Sequence, residues 1–416
     1  MLLAVAVSIG YGTVSLAFHS GGVGECVGCH NMHGAQSTTR LLAGTDSSST
    51  CLNCHQEEGL TNASSYHVST SEVDMGPGVS PHQRTPGGDF GWLKKTYTWT
   101  VPWGTFGEAG ETHGHNIVAT DFNYTEDSHN STAPGGGSLQ AGDLSCTSCH
   151  DPHGSFRRVG GDTVYTIEDS GAPIIGSGSY QNSLTPSATQ AVGVYRLLAG
   201  SGYDFGPDSF AVDPPQATAP TTIFGPNADP GYNQSEATNQ VRVAYGVGMA
   251  EWCGTCHPNM LNGLTSGHHP VSQAFSSGII DNYVEYRGSG ITNGSNSDAF
   301  LSLVPYEQAT DDYAVLKALA AGNSPTYAGP EQTGGDVSCI SCHRAHASGF
   351  EYAVRWNPES EFLVENGQWP GTDNGASPQF ARGRTEAEMQ ASYYDRDASV
   401  FADYQRSLCN KCHVQD

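Results

Sequence analysis

Six times the chain spells Cys-x-x-Cys-His: Cys26–His30, Cys51–His55, Cys146–His150, Cys253–His257, Cys339–His343 and Cys409–His413. Together these units consume all 12 cysteines. Two thiols at this spacing can each add across one vinyl group of a single porphyrin. The His that follows then falls beneath the iron as its proximal ligand. A zinc site built from Cys pairs borrows a second pair or a His pair, and does not need His directly after the second Cys. A thioredoxin-like redox pair is not repeated along a chain, and a disulfide framework shows varied spacings. The reading is six covalently bound haem c groups. Their thioethers come from Cys26, Cys29, Cys51, Cys54, Cys146, Cys149, Cys253, Cys256, Cys339, Cys342, Cys409 and Cys412. Their proximal ligands are His30, His55, His150, His257, His343 and His413.

Composition makes the haems structural as well. Among 416 residues there are 52 Gly and 22 Pro, and only 37% are hydrophobic. Such a chain buries little aliphatic core of its own, so porphyrin faces must supply apolar surface, and folding should require the haem. The expected fold is mostly irregular coil with short α-helices and few strands, helix exceeding strand, arranged around a linear haem chain. The net charge of −25 turns nucleic acid and anionic lipid away as partners. The apolar opening MLLAVAVSIGYGTVSLA reads as a secretory signal peptide over residues 1–17, cut before Phe18, although no basic n-region precedes it. Residues 18–416 read as a single hexahaem domain with no membrane span, exported to where c-type haem is attached.

Regular structure is expected in a few places. Tyr97, Trp99 and Val101 alternate within GGDFGWLKKTYTWTVPWG, which suits a short strand or a haem-covering loop. A helical turn is expected around Met249–Trp252, and an amphipathic helix over 312–321 stopped by Gly322. Thr385-x-x-Glu388 is a capping box opening a helix through about Tyr394. A further helix is expected from about Ser399 into the last unit, with Val400, Phe401, Tyr404 and Leu408 on one side. The string RLLAG occurs at 40–44 and 196–200, by coincidence or as a shared haem-packing turn.

The second axial ligand bears on function, because an iron closed on both faces passes electrons and an open one performs chemistry. Of 17 His, eleven are not proximal, which suffices for full bis-His ligation. His33, His153 and His346 each follow a proximal His by three positions. That tether cannot reach round its own haem, so each must look at a different iron and draw two haems together. His67, His115 and His269, preferred over His268, lie in segments before or after units, and His19 lies just before the first. That makes seven candidates for six places. His82, His113 and His129 sit in polar loops and read as solvated. Met32 and Met260 lie near units but read as packing residues.

Several stretches resemble one family: FHSGGVGECVGCHNMHG, CLNCHQ, TPGGDFGWLKKTYTW, GHNIVA, SCHDPHG, RVAYGVGMAEWC, SCHRAHASGF and YQRSLCNKCH. They are similar to the OmcS-type hexahaem outer-surface c-type cytochromes, which polymerise into extracellular filaments in metal-reducing bacteria. The resemblance spans nearly the whole mature chain with all six units in order. It implies bis-His haems alternating between stacked and T-shaped pairs, and subunits joined head to tail. It also implies that a His of one protomer ligates a haem of the next. By position that His is His33, and its target is the haem on Cys339–Cys342–His343. The function so implied is electron transfer through a filament, not enzymatic turnover. Its partners would be other copies of the chain, redox-partner cytochromes and extracellular Fe(III) or Mn(IV) oxides. A monomeric periplasmic or outer-surface shuttle is the alternative. A multihaem nitrite or hydroxylamine reductase would need an open iron and usually a Cys-x-x-Cys-Lys unit. None is present, since Lys411 lies inside the last unit.

Overall fold

Glycine and proline in such number leave few stretches able to sustain a long helix or strand. In the computed structural model the described residues are 26–37, 40–56, 67–83, 85–160, 172, 174–177, 185–218, 243–261, 269–286, 303–320, 330 and 335–413. The signal segment, His19 and His268 lie outside them. Among the described residues the longest helices, Ser47–His55 and Ser277–Glu285, have 9 residues each. Strands are shorter still and form four small sheets. Most of the chain is coil, as the composition requires. No helix among the described residues is long and apolar enough to cross a membrane.

Local rules hold where neighbours in sequence decide. Tyr97–Val101 is a strand, paired with Gly104–Glu108 in an antiparallel hairpin. Tyr97 and Val101 are buried at its two ends. A 3-10 turn, Phe90–Lys94, leads into it, capped by Asp89 Oδ1 accepting from Gly91 N at 2.7 Å. The amphipathic helix is Tyr313–Ala320, burying Leu316, Leu319 and Ala320. Asp312 Oδ1 accepts from the Ala314 and Val315 amides at its start. Met249–Gly254 is a helix leading into the fourth unit. The Thr385–Glu388 capping box opens Glu386–Ser392, and left-handed residues Tyr394 (φ 60°) and Asp395 (φ 56°) follow its end.

The helix expected from Ser399 does not form. Its place is taken by a 3-10 turn at Ala398–Val400, the strand Tyr404–Arg406 and a second 3-10 turn at Leu408–Lys411. The strand pairs antiparallel with Phe362–Glu365, and Tyr404 meets Phe362 edge to face at 5.6 Å between centroids. Tertiary pairing has overridden an apolar spacing that would have suited a helix.

Apolar packing is divided into clusters that border the cysteine units. The largest holds Phe350, Trp356, Leu363, Trp369, Tyr393 and Leu408, with Cys342 and Cys412 at its edge. Within it Trp369 stacks on Tyr393 at 4.3 Å, worth about 1 kcal/mol beyond area burial. A second cluster, around Phe205, Phe210 and Trp252, borders Cys149, Cys253 and Cys256. A third, around Leu52, Phe90 and Tyr124, borders Cys146.

His113, expected in solvent, is instead fully buried. Its Nδ1 bonds to Trp92 O at 3.1 Å and its Nε2 meets Glu108 Oε1 at 3.0 Å. Arg384 donates to the same carboxylate at 2.6 Å. A polar-looking loop hides this residue because the Arg384 that shares its Glu108 carboxylate lies far along the chain. His129 is exposed as expected, with Nδ1 2.9 Å from Glu111. His82 is half-buried.

Candidate haem centres

Each unit closes one helical turn, the second as the end of the helix Ser47–His55. The amide of the unit's His bonds to the carbonyl of its first Cys: His30 to Cys26 at 2.7 Å, His150 to Cys146 at 2.9 Å, His257 to Cys253 at 3.1 Å, His343 to Cys339 at 2.9 Å and His413 to Cys409 at 3.0 Å. Residues three and four apart share a face in such a turn, so both sulfurs and the imidazole point the same way. No disulfide forms; all twelve cysteines are free.

Backbone carbonyls then fix the rings. Nδ1 of His30 donates to Arg40 O at 2.9 Å, of His150 to Arg196 O at 2.8 Å, of His257 to Pro134 O at 2.8 Å and of His343 to Tyr352 O at 2.7 Å. A carbonyl only accepts, so Nδ1 carries the proton and Nε2 presents its lone pair, the arrangement a metal ligand needs. These accepting carbonyls were not foreseen from the sequence, though one signal was present. Both RLLAG strings supply such a carbonyl, from Arg40 and Arg196, in turns with left-handed Leu41 (φ 53°) and Arg196 (φ 50°). Tyr352 (φ 59°) plays the same part for His343 without the string. The repeated string is therefore no coincidence of composition but a shared turn that orients a proximal His.

Opposed imidazoles mark where irons fit. Ring centroids lie 6.4 Å apart for His30 and His153, 6.2 Å for His150 and His346, 6.0 Å for His257 and His115, and 6.0 Å for His413 and His269. Metal–imidazole bonds of about 2 Å, plus about 1 Å from nitrogen to ring centre on each side, place two ligands of one metal about 6 Å apart. Burial, then the charge on His257, pushes His115 down to about 4, although water reaches the ring. Burial likewise pushes His346 down to about 3. A lowered pKa keeps these rings in the neutral form that binds metal. The side chains present thus fit haem c.

Two candidates stand apart. His33 is exposed, and among the described residues its imidazole faces no other ring. Likewise no described His faces His343, which lies close enough to His257 and His269 to feel their charge. His67 is fully buried, with Nε2 3.0 Å from Asp89 Oδ2 and 3.2 Å from Thr70 Oγ1. It faces His82 at 6.0 Å and not a proximal His. Met32 is 78% exposed, and Met260 packs on Gly135.

The units are strung in sequence order. Burial and then Cys54 raise the Cys29 thiol, linking the first two units. Cys51 and Cys146 share a hydrogen bond, which raises Cys51. Burial and then Cys256 push Cys149 up to about 12. Cys253 bonds to Cys339, and Cys342 is pushed up to about 12 by burial and then Cys409 and Cys412. Each unit therefore lies within electrostatic reach of the next, and the second and third, and the fourth and fifth, are in hydrogen-bond contact. As thioethers these sulfurs do not titrate, so the shifts serve here as a map of neighbours.

Residues 19–60 match the doubled CXXCH motif model. The C-type cytochrome OmcS of Geobacter sulfurreducens is 47% identical over 425 residues, covering 97% of this chain and 95% of the relative. The cryo-EM structure of OmcS nanowires from that organism superposes with a TM-score of 0.81 at 45% identity, covering 96% of this chain and 100% of that one. An Outer Membrane Cytochrome S filament structure does so with 0.81 at 46% identity and the same coverage. With single-turn Cys-x-x-Cys-His units, opposed imidazoles and near-full-length identity all in agreement, this chain belongs to the OmcS family of c-type cytochromes.

Proposed function

We propose that the chain carries six bis-His haems c in one domain and polymerises head to tail into an extracellular filament that conducts electrons. Bound haem supplies one-electron chemistry at iron. The protein's residues space the centres, close both faces of each iron and hold His30, His150, His257 and His343 in the Nδ1-protonated form. Donor cytochromes would feed the filament, and extracellular Fe(III) or Mn(IV) oxides would drain it.

One observation carries the reading: the facing imidazoles follow a rule of two. His153, three residues past the third proximal His, faces the first unit, and His346, three past the fifth, faces the third. Among even units, His115 precedes the third unit and faces the fourth, and His269 precedes the fifth and faces the sixth. The rule continued assigns His19, which precedes the first unit, to His55. It sends His33 two units back from the first, which in a head-to-tail filament is the neighbouring subunit's fifth unit. His343 there is the proximal ligand for which this chain offers no facing His among the described residues. The seventh candidate, His67, becomes a second-row residue held by Asp89.

His33→Ala is the test. Six haems should remain attached by mass spectrometry while negative-stain microscopy shows only short oligomers. A variant that still forms long filaments defeats the inter-subunit ligand.

A further inference from the structure

Between the fourth and fifth units lies a group of carboxyls that electron transfer alone leaves without a task. Glu307 stands directly opposite Asp336 on paired strands, with Tyr245 across from it on the other side. Glu251 joins them from the helix that leads into Cys253. Like charges opposite one another on a sheet repel, and here the sheet gives them little water. Glu307 is 0% exposed and Asp336 9%. Glu251, Glu307 and Asp336 each hold one buried oxygen without a hydrogen-bond partner. The second oxygen of Glu307 accepts a long bond, 3.4 Å, from Gly248 N.

Among the described residues, none of the leading influences on Glu307 is a cation. The leading influences on it are burial, then Glu251, Gly248 N–H, Ser338 and Cys339. Burial with Glu251 pushes the Glu307 carboxyl up to about 8. Asp336 is raised by the same two causes. Glu307 also acts on Cys253, whose sulfur is hydrogen-bonded to that of Cys339. Glu251 lies two residues before Cys253 and Asp336 three before Cys339, so the carboxyls flank the anchors of two successive haem units.

We propose that Glu307, set against Glu251 and Asp336, is a proton-loading site serving the haems at Cys253–His257 and Cys339–His343. It takes a proton from solvent as an electron arrives at either haem and releases it as the electron leaves. One electron comes from the preceding centre and one proton from water; only the carboxyl O–H bond forms or breaks. Negative charge added nearby in a poorly screened site favours the protonated acid, and linkage makes the effect reciprocal. The inference rests on the bis-His haem reading above.

Reductive titration of the purified holoprotein, followed in the haem α-band at a series of pH values, tests it. Near the Glu307 pKa one component should weaken as an acceptor with rising pH, by up to tenfold per pH unit, ~59 mV for one electron. Glu307→Gln should flatten that component, and indicator-dye measurement should find fewer protons taken up on full reduction. An unchanged slope and equal uptake with six haems attached would overturn the proposal. Should Glu307→Gln misfold, Glu251→Gln serves instead: removing the charge that raises Glu307 should move the pH window downward, and an unmoved window overturns the site. Failure of the parent reading is distinguishable, because haem count and spin state report it separately.

Discussion

An imidazole that donates through Nδ1 to a carbonyl has one nitrogen left to offer, and that choice is made by backbone far away. His30 depends on Arg40, His257 on Pro134 and His343 on Tyr352. The proximal residues were legible because thioether chemistry dictates their place beside the second Cys. Of the seven expected second ligands, His115, His153, His269 and His346 face a proximal His, and their pairing was not legible in the sequence. His153 and His30 are brought together only by the folded chain. His67 looked like a ligand because it lies near a unit; nothing local revealed that Asp89 would hold its Nε2 at 3.0 Å. These assignments differ in what their removal does. His153→Ala should leave every haem attached, since the thioethers remain, but convert about one sixth of the haem to high-spin five-coordinate iron. His67→Ala should leave the low-spin spectrum intact. Electron paramagnetic resonance of the oxidised protein reads both.

Elements in this protein are short because each is completed by something remote. The hairpin Tyr97–Val101 and Gly104–Glu108 and the Thr385–Glu388 capping box were visible in sequence, since their bonds join near neighbours. The strand Tyr404–Arg406 was not, because its partner Phe362–Glu365 decides its form. Glu108 fastens the hairpin to the C-terminal segment through Arg384 and, at 3.5 Å, Arg382. Burial alone would raise its carboxyl, but the hydrogen bond from His113 and the charge of Arg384 more than reverse this and hold it near 2, below the ordinary 4.5. A depressed folded pKa means stability that is present above the ordinary value and lost as pH falls through the folded one. The fastening should therefore weaken between those two values. Glu108→Gln should cost about 3 kcal/mol at neutral pH, because it leaves buried cations short of a counter-charge. It should also flatten the acid limb of the stability curve in that window. Thermal unfolding followed by circular dichroism at several pH values checks both.

The whole molecule is a string of attachment turns with apolar clusters at their edges, and the composition announced as much. What composition withheld was the rule of two that ties each turn to another two places along. If the porphyrins are the missing core, the chain made without haem attachment should be largely unordered by far-UV circular dichroism and lack a cooperative thermal transition. A folded, colourless chain would contradict this. The rule also has a consequence at the extremities. Among the described residues His33 is exposed and meets no other ring, and no His faces His343. A polymer built on that mismatch has two chemically unlike tips, one ending in a bare imidazole and the other in a metal seeking one. It is a rope with a hook at one end and an eye at the other, so growth has a direction, and a small imidazole in solution is enough to stop the eye.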